Sequence, residues 1–270
     1  MRKKNILPGF GITMGFTLSY LGLIVLIPLA GLFLHLTGMS WQEFREIIGD
    51  PRVTAAFRVT FGISFLAALA NAFFGFIAAW VLVRYTFPGR RFFDAMIDLP
   101  FAVPTAVSGI TLSMLYSEQG WFGRFLPVQV TETPLGIFVA LTFIGLPFVV
   151  RTMQPALTGL EKELEEASAS LGATRWQTFW KVLFPGLLPA LLTGFTMAFA
   201  RAVGEYGSVI FIAGNMPYKT EIVPLLIFIR LEQYDFTGAV AIAVFMLIVS
   251  FVLLLLINLL QLWRAKRTAG

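Results

Sequence analysis

Long stretches without charge divide the chain into regular segments. Six stretches of 18 to 38 residues contain no Asp, Glu, Lys or Arg. A helix that crosses a bilayer needs about 20 predominantly apolar residues. The pattern therefore predicts an all-α polytopic membrane protein with about six transmembrane helices. We expect these spans near residues 14–36, 59–83, 97–117, 134–152, 186–212 and 238–262.

The first apolar stretch has a second interpretation, as a secretory signal peptide. It is longer than the roughly 7–15 residues of a signal-peptide core, and no A-x-A cleavage site follows it. We therefore interpret it as a span.

The composition fits a membrane protein and excludes several kinds of chemistry. Of the 270 residues, 57% are hydrophobic and only 13% are charged, whereas soluble domains are about 25% charged. The chain has no Cys and a single His, His35, so we expect neither a metal site nor a catalytic triad. It also lacks the G-x-x-x-x-G-K-[ST] sequence, and we expect it to bind no ATP or other cofactor by itself.

The basic residues are unevenly distributed between the two sides of the predicted membrane. One side holds thirteen of them, namely Arg2, Lys3, Lys4, Arg84, Arg90, Arg91, Arg151, Lys162, Arg175, Lys181, Arg264, Lys266 and Arg267. The other side holds six, namely Arg45, Arg52, Arg58, Arg124, Lys219 and Arg230. Because Lys and Arg are enriched in cytoplasmic loops, both termini are predicted to be cytoplasmic. The net charge of +5 then reports topology, and we expect no nucleic-acid partner.

The longest loop on the predicted cytoplasmic side, residues 161–185, is polar in a chain that is otherwise apolar. Its pattern predicts two short helices separated by Gly172, and the spacing of Thr174 and Gln177 predicts a capping box at the second helix. Pro185 and the following glycine are expected to turn the chain into the next span. Small residues at 167–169 would let another protein approach closely, but the same pattern also fits an amphipathic corner on the bilayer surface.

One motif in this loop resembles a known family. Residues 166–168 read Glu-Ala-Ser, and after three residues come Gly172, nine further residues and Val-Leu-Phe-Pro at 182–185. This resembles the EAA loop of permease subunits in ATP-binding-cassette (ABC) importers, EAA-x3-G-x9-I-x-L-P, with Ser, Val and Phe as mild replacements. The resemblance implies that the loop forms coupling helices that dock on an ATPase. The residues to which it assigns docking are Glu165, Glu166, Ala167, Ser168, Gly172, Ala173 and Pro185.

Further motifs extend the resemblance over nearly the whole chain. They are MIDLPFAVPTAVSG at 96–109, VVRTMQP at 149–155, LGATRWQ at 171–177 and RAVGEYGSVIFIAGN at 201–215. These motifs are most similar to sulfate/thiosulfate permeases of the T type, which implies the type I ABC importer permease (MetI-like) fold. Residues 1–53 would form an N-terminal tail, the first helix and an external loop. Residues 54–262 would form the type-1 permease domain, and residues 263–270 a cytoplasmic tail.

The resemblance also implies a function and a set of partners. The chain would be a non-catalytic subunit of the bacterial inner membrane that forms half of a translocation path for sulfate or thiosulfate. Its implied partners are a homologous second permease of the W type, two ATPase subunits that carry ATP and Mg, and an external sulfate- or thiosulfate-binding protein. Molybdate and tungstate permeases share the EAA loop, so that substrate class remains an alternative. An ion-coupled secondary transporter is the alternative from a different class.

Two sets of residues within the spans are candidates for function. Arg201 and Glu205 are four residues apart, and with Ser208 they would share one face of the fifth helix. They either line the translocation path or form a pair that locks this helix to a neighbour, and we favour the lock because Glu205 neutralises Arg201. Pro100 and Pro104 predict a kink or a gate at the third span, and the kink is favoured.

Two other segments have simpler interpretations. Asn71, in the middle of the second span, is expected to form a hydrogen bond between packed helices. Residues 222–229 are apolar but too few to cross a bilayer, so they predict a re-entrant or surface segment on the external side.

Overall fold

The structure, a computed structural model, describes residues 10–268 except for the side chains of residues 260 and 262–268. The predicted basic residues Arg2, Lys3 and Lys4 and the side chains in the predicted tail, 263–270, lie outside this description. In the described part, the longer regular elements are α1 (Phe10–Leu36, with a π turn at Gly22–Leu26), α2 (Trp41–Gly49), α3 (Pro51–Arg84), α4 (Arg90–Ile97), α5 (Leu99–Ala102), α6 (Thr105–Tyr116), α7 (Pro134–Thr158), α8 (Lys162–Ser170), α9 (Arg175–Val203, with a π turn at Phe179–Leu183), α10 (Val209–Ile212), α11 (Val223–Glu232) and α12 (Phe236–Thr268).

Five helices of the described part are long and apolar enough to cross a membrane: α1, α3, α7, α9 and α12. The remaining predicted span, residues 97–117, is not one continuous helix. Its longest piece, α6, has 12 residues and measures about 18 Å at 1.5 Å per residue, against a hydrocarbon core of about 30 Å. The chain passes through this region as two helices separated by a break.

Pro104 accounts for the break. Val103 and Pro104 both have extended backbones, with ψ of 131° and 137°. Proline disfavours the helical conformation of the residue before it, because its ring clashes with that residue. Pro100, by contrast, lies in the first turn of α5, where a missing N–H is tolerated. The interruption of this span is therefore located at Pro104.

The helix predicted at residues 186–212 is shifted in the structure. It begins at Arg175, so the expected turn at Pro185 is wrong and the helix continues through that point. Pro185 is the second residue after the π turn, where the regular hydrogen-bond pattern of the helix is already interrupted. At the other end, α9 stops at Val203, and residues 204–208 turn the chain before α10.

The centre of the bundle is formed by α7 between α3 and α9. A Cβ added to Gly75 would lie 2.9 Å from Val149 Cβ, and one added to Gly194 would lie 2.9 Å from Val149 Cα. A Cβ added to Gly145 would lie 2.3 Å from Nδ2 of the buried Asn71. Small residues thus let the three backbones approach closely, as is common between helices in membranes. Among the described residues Asn71 Oδ1 has no hydrogen-bond partner, so the expected hydrogen bond between helices is wrong.

The helix α1 lies on the outside of this bundle. Residues 27–36 pack on α12, and no part of the most apolar stretch of α1 is buried within the part of the chain that the structure describes. The ends of the remaining helices form two polar regions. We call the region that contains residues 84–98 and 151–178 the loop end, and the region that contains residues 37–52 and 204–235 the opposite end.

Candidate functional site

The corner between α8 and α9 is built from backbone hydrogen bonds around Gly172. This residue has φ of +79°, in the left-handed region that favours glycine. Its N–H donates to the carbonyl of Ala169 at 2.9 Å, and the N–H of Ala173 donates to the carbonyl of Ser168 at 3.1 Å. These two bonds define a Schellman motif. The predicted helix stop at Gly172 is confirmed.

Side chains fix the other half of the corner. The N–H of Gln177 donates to Thr174 Oγ1 at 3.3 Å, and the N–H of Thr174 donates to Gln177 Oε1 at 2.9 Å, so the predicted capping box is confirmed. The hydroxyls of Ser168 and Thr178 are hydrogen-bonded at 2.8 Å and both are buried. This bond ties α8 to α9 and gives the corner a defined angle.

The residues that the resemblance assigns to docking divide into two groups. Glu166, Ala167 and Gly172 are exposed, and we call these three the corner apex. Ser168 is buried, and Glu165 forms an ion pair with Arg84 at the end of α3. The buried and paired members support the corner from within.

The remaining two assigned residues flank the apex. Ala173 is half-buried beside Gly172, whereas Pro185 is exposed on α9, beyond the π turn. Two apolar side chains next to the apex are also exposed, Leu171 at 88% and Trp176 at 71%. An exposed apolar surface of this kind, on a polar loop, marks a contact site for another protein or a membrane.

The aromatic face of residues 176–184 packs mainly on the chain itself. The ring of Phe179 lies 5.5 Å from Trp80 and 6.2 Å from Phe76, centroid to centroid. Phe184 lies 6.3 Å from Phe76, and Leu183 is 4% exposed. The corner is therefore seated on the last turns of α3.

The charged pair predicted in the fifth span is formed, but in a different setting. Arg201 Nη1 lies 2.5 Å from Glu205 Oε2, while Glu205 Oε1 accepts hydrogen bonds from the N–H and hydroxyl of Ser208 at 2.8 and 2.9 Å. Glu205 and Ser208 follow the end of α9, so the expectation of one shared helical face is wrong. Gly204 ends the helix and the carboxylate folds back to Arg201.

This turn is packed against α6. A Cβ added to Gly109 would lie 2.3 Å from the carbonyl oxygen of Ser208, and one added to Gly207 would lie 2.3 Å from Thr105 Oγ1. Glu205 is 2% exposed, whereas the Arg201 side chain is 34% exposed. The carboxylate is thus an internal group of the turn, and the guanidinium reaches the surface of the chain.

A second ionic cluster, at the loop end, was not predicted from the sequence. Arg151 donates to Asp98 at 2.8 and 2.6 Å, to Asp94 Oδ1 at 2.7 Å and to Gln154 Oε1 at 2.6 Å. The hydrogen bond from Gln154, and then the bond and charge of Arg151, hold the pKa of Asp94 below its usual value. The four-residue spacing of Asp94 and Asp98 was the available signal, but only the fold brings Arg151 to them.

A third polar cluster lies at the opposite end, where it attaches α11 to α3. Arg52 binds Glu221 with two hydrogen bonds of 2.8 and 2.6 Å, and Glu221 is 1% exposed. The N–H of Val223, the first residue of α11, donates to Thr60 Oγ1 at 2.9 Å. With 10 residues, α11 does not cross the membrane, as expected of residues 222–229. These bonds fasten it to α3.

The start of α12 is capped by Asp235. Its Oδ1 accepts the N–H of Gly238 at 2.8 Å and its Oδ2 accepts from Arg230 at 2.7 Å. The Gly238 N–H, and then Arg230, hold the pKa of Asp235 below its usual value. Among the described residues no group of three His, Cys, Asp or Glu side chains has the geometry of a metal site.

Comparison with known proteins places this geometry in a family. Residues 71–270 match the family described as "Binding-protein-dependent transport system inner membrane component". The chain is 48% identical over 270 residues to "Sulfate transport system permease protein CysT" of Escherichia coli K12, covering 99% of this chain and 98% of the relative. It is 51% identical over 250 residues to the protein of the same name from Synechocystis, covering 92% and 87%.

Solved structures agree on the fold. A chain of a bacterial alginate ABC transporter, crystallised with an alginate-bound periplasmic protein, has a TM-score of 0.77 at 17% identity and covers 92% of both chains. A chain of the MetNI methionine ABC transporter has a TM-score of 0.55 at 22% identity and covers 82% of this chain and 99% of the other. At these identities the similarity concerns the fold alone.

The fold is that of an ABC importer permease, a non-catalytic subunit of the inner membrane. The chain belongs to the family of binding-protein-dependent transport system inner membrane components. Membership of this family implies an ATPase partner and a binding-protein partner.

Proposed function

We propose that the chain is the permease subunit of an ATP-driven importer of sulfate or thiosulfate, and that it is coupled to its ATPase through the corner. The observation that carries the proposal is the corner apex, three exposed residues on a support fixed by hydrogen bonds from inside the chain. The two relatives named as sulfate permeases, similar over nearly the full length, support the substrate.

The surface around the apex has the chemistry of a docking site. Ala167 and Gly172 carry little or no side chain, so a partner's backbone can approach closely. Glu166 offers a carboxylate to a basic group of the partner. Leu171 and Trp176 add exposed apolar area that a complex would bury. The basic residues of the loop end support a cytoplasmic position for this corner, where a soluble ATPase would meet it.

The remaining parts of the complex follow from this assignment. A homologous second permease of the W type completes the translocation path, two ATPase subunits carry ATP and Mg, and an external protein delivers sulfate or thiosulfate. The near full-length similarity to sulfate permeases supports this composition. This chain provides half of the path and one ATPase contact.

We assign Arg201 and Glu205 to a structural ion pair that locks α9 to a neighbouring helix, rather than to a substrate site. Glu205 is engaged by Arg201 on one oxygen and by Ser208 on the other, and a buried carboxylate needs such partners. The pair thereby holds the turn at 204–208 against α6. Replacing Arg201 with Gln should lower the amount of assembled complex. A normally assembled complex that fails to transport sulfate would instead place Arg201 in the path.

The docking proposal is tested by filling the apex. In Ala167→Trp, the large side chain should exclude the ATPase, so a tag on this chain should recover the variant from the membrane without ATPase. Ala95→Trp, at an exposed position of α4, is the matched control and should retain it. Undiminished recovery of ATPase with Ala167→Trp would refute the docking site. Sulfate uptake by liposomes that contain this chain and no ATPase would favour an ion-coupled transporter.

A further inference from the structure

The last turn of α3 holds the corner by a charged contact. Arg84 forms an ion pair with Glu165, the residue directly before the corner apex. The Cζ atom of Arg84 also lies 5.3 Å from the ring centroid of Trp80, one turn earlier on α3. The Arg84 side chain is only 20% exposed and that of Glu165 is 39% exposed. The guanidinium is therefore fixed between a carboxylate of α8 and an indole of α3.

Aromatic packing makes the same connection from the other arm of the corner. Trp80 meets Phe179 edge to face, with centroids 5.5 Å apart and planes at 75°. Phe179 belongs to the π turn of α9 and also contacts Phe76. The two arms of the corner, α8 and the first turns of α9, are thus both attached to one turn of α3.

We propose that these four residues, Arg84, Trp80, Glu165 and Phe179, form a strut that carries motion of the corner directly into α3. The proposal rests on the proposed function, because it assumes that an ATPase displaces the corner. It assigns to Glu165 a role inside the chain, as a positioning residue, and leaves the contact with the ATPase to the corner apex.

The need for a strut follows from the local structure of α9. The covalent path from the corner into the membrane runs through the π turn at Phe179–Leu183. Such turns interrupt the regular hydrogen-bond pattern, and helices bend where that pattern is interrupted. The strut joins the corner to α3 at Phe179, the first residue of that turn, so the connection does not have to run through the rest of the turn. Close-packed rings resist compression, and the ion pair resists separation. A push or a pull on the corner therefore reaches α3, which packs along α7 in the centre of the bundle.

The first test measures coupling in the complex purified through a tag on this chain. In Arg84→Ala the ATPase should still co-purify and hydrolyse ATP, while sulfate transported per ATP falls about two- to fivefold, the range for loss of one partly exposed ion pair. Arg84→Glu and Glu165→Arg should each show the same defect, and the double variant should recover. Arg91→Ala, which removes an exposed charge from the same end, should be normal.

The second test measures motion without measuring activity. The natural chain has no Cys, so in a complex whose other subunits have had their cysteines replaced, spin labels on Thr86→Cys and Glu163→Cys report the distance between the end of α3 and α8. We expect the same distance distribution in the ATP-free complex and in the complex trapped with ATP and vanadate. Adding Arg84→Ala should broaden the distribution and make it depend on nucleotide.

The outcomes separate the strut from the proposed function. If the ATPase does not co-purify with the natural chain, the proposed function fails. If the ATPase co-purifies but the label distance changes with nucleotide in the natural chain, the strut is refuted and the docking site stands. Full transport per ATP in Arg84→Ala, or failure of the charge exchange to restore it, would also refute the strut.

Discussion

Replacing Gly172 tests whether the corner depends on backbone conformation or on contacts of a side chain. Gly172 has φ of +79°, and an added Cβ would meet no other atom of the described residues within 4 Å. Crowding inside the chain is therefore excluded as a cause. What remains is the steric cost of the left-handed region, about 1–2 kcal/mol for an ordinary L-residue, and more for a β-branched one.

The magnitude follows from two competing conformations of the corner. A cost of about 1–2 kcal/mol lowers the population of the observed corner roughly 5- to 30-fold relative to an unwound one. This cost is opposed by the stabilisation from the two Schellman bonds, from Gly172 to Ala169 and from Ala173 to Ser168, each of which contributes about 1 kcal/mol. Valine should therefore disrupt the corner and alanine weaken it. Asparagine, which tolerates the left-handed region, should largely preserve it.

The assay compares three variants in proteoliposomes that contain the whole complex. We expect sulfate uptake in the order Gly, Asn, Ala, Val, and ATP hydrolysis that in Gly172→Val no longer responds to the sulfate-loaded binding protein. Membrane levels of the chain should be unchanged, because the spans do not depend on this residue. Normal uptake in Gly172→Val would refute the reasoning. The reasoning would also be refuted if Gly172→Asn took up sulfate as poorly as Gly172→Val while Gly172→Ala was normal. The size of the side chain would then decide uptake, and the backbone angle φ would not.

Two further predictions concern the remaining clusters. Arg52→Met should destabilise the chain by about 3 kcal/mol, because it leaves the buried carboxylate of Glu221 without its cation. The loss is measured by thermal unfolding in detergent, and an unchanged melting temperature would contradict the importance of this pair. Gly109→Ala should cost about 1–3 kcal/mol through overpacking, because its Cβ would lie 2.3 Å from the Ser208 carbonyl oxygen. Gly62→Ala, whose Cβ would meet no atom of the described residues within 4 Å, is its control, and equal losses in both would show that close packing is not the cause.

Much of the fold was predictable because it depends on short segments of the chain. The length and apolarity of a span determine its transfer into a bilayer, so five of the predicted spans correspond to long apolar helices. The helix stop at Gly172 and the capping box of Thr174 and Gln177 are also local, since each involves residues within a few positions of each other. Both could be predicted without knowing which other helices pack against this part of the chain.

The errors lie at helix ends. The hydrophobic pattern continues through Pro104 and past Val203, although the helices do not. A proline decides the first of these helix ends, and a turn packed on α6 decides the second. The apolarity of the sequence gives no information on either. The shared face expected for Arg201, Glu205 and Ser208 was wrong for the same reason.

The sequence by itself determined the class of protein, its apolar helices and the motif of the corner. Only the tertiary structure decided which charges meet. Glu165 and Glu166 are adjacent carboxylates of the same loop, yet one is bound to Arg84 and the other is exposed. Arg151 joins Asp94 and Asp98 across more than fifty positions. The energy of an ion pair depends on distance in space, and that distance is set by the packing of α3, α7 and α9.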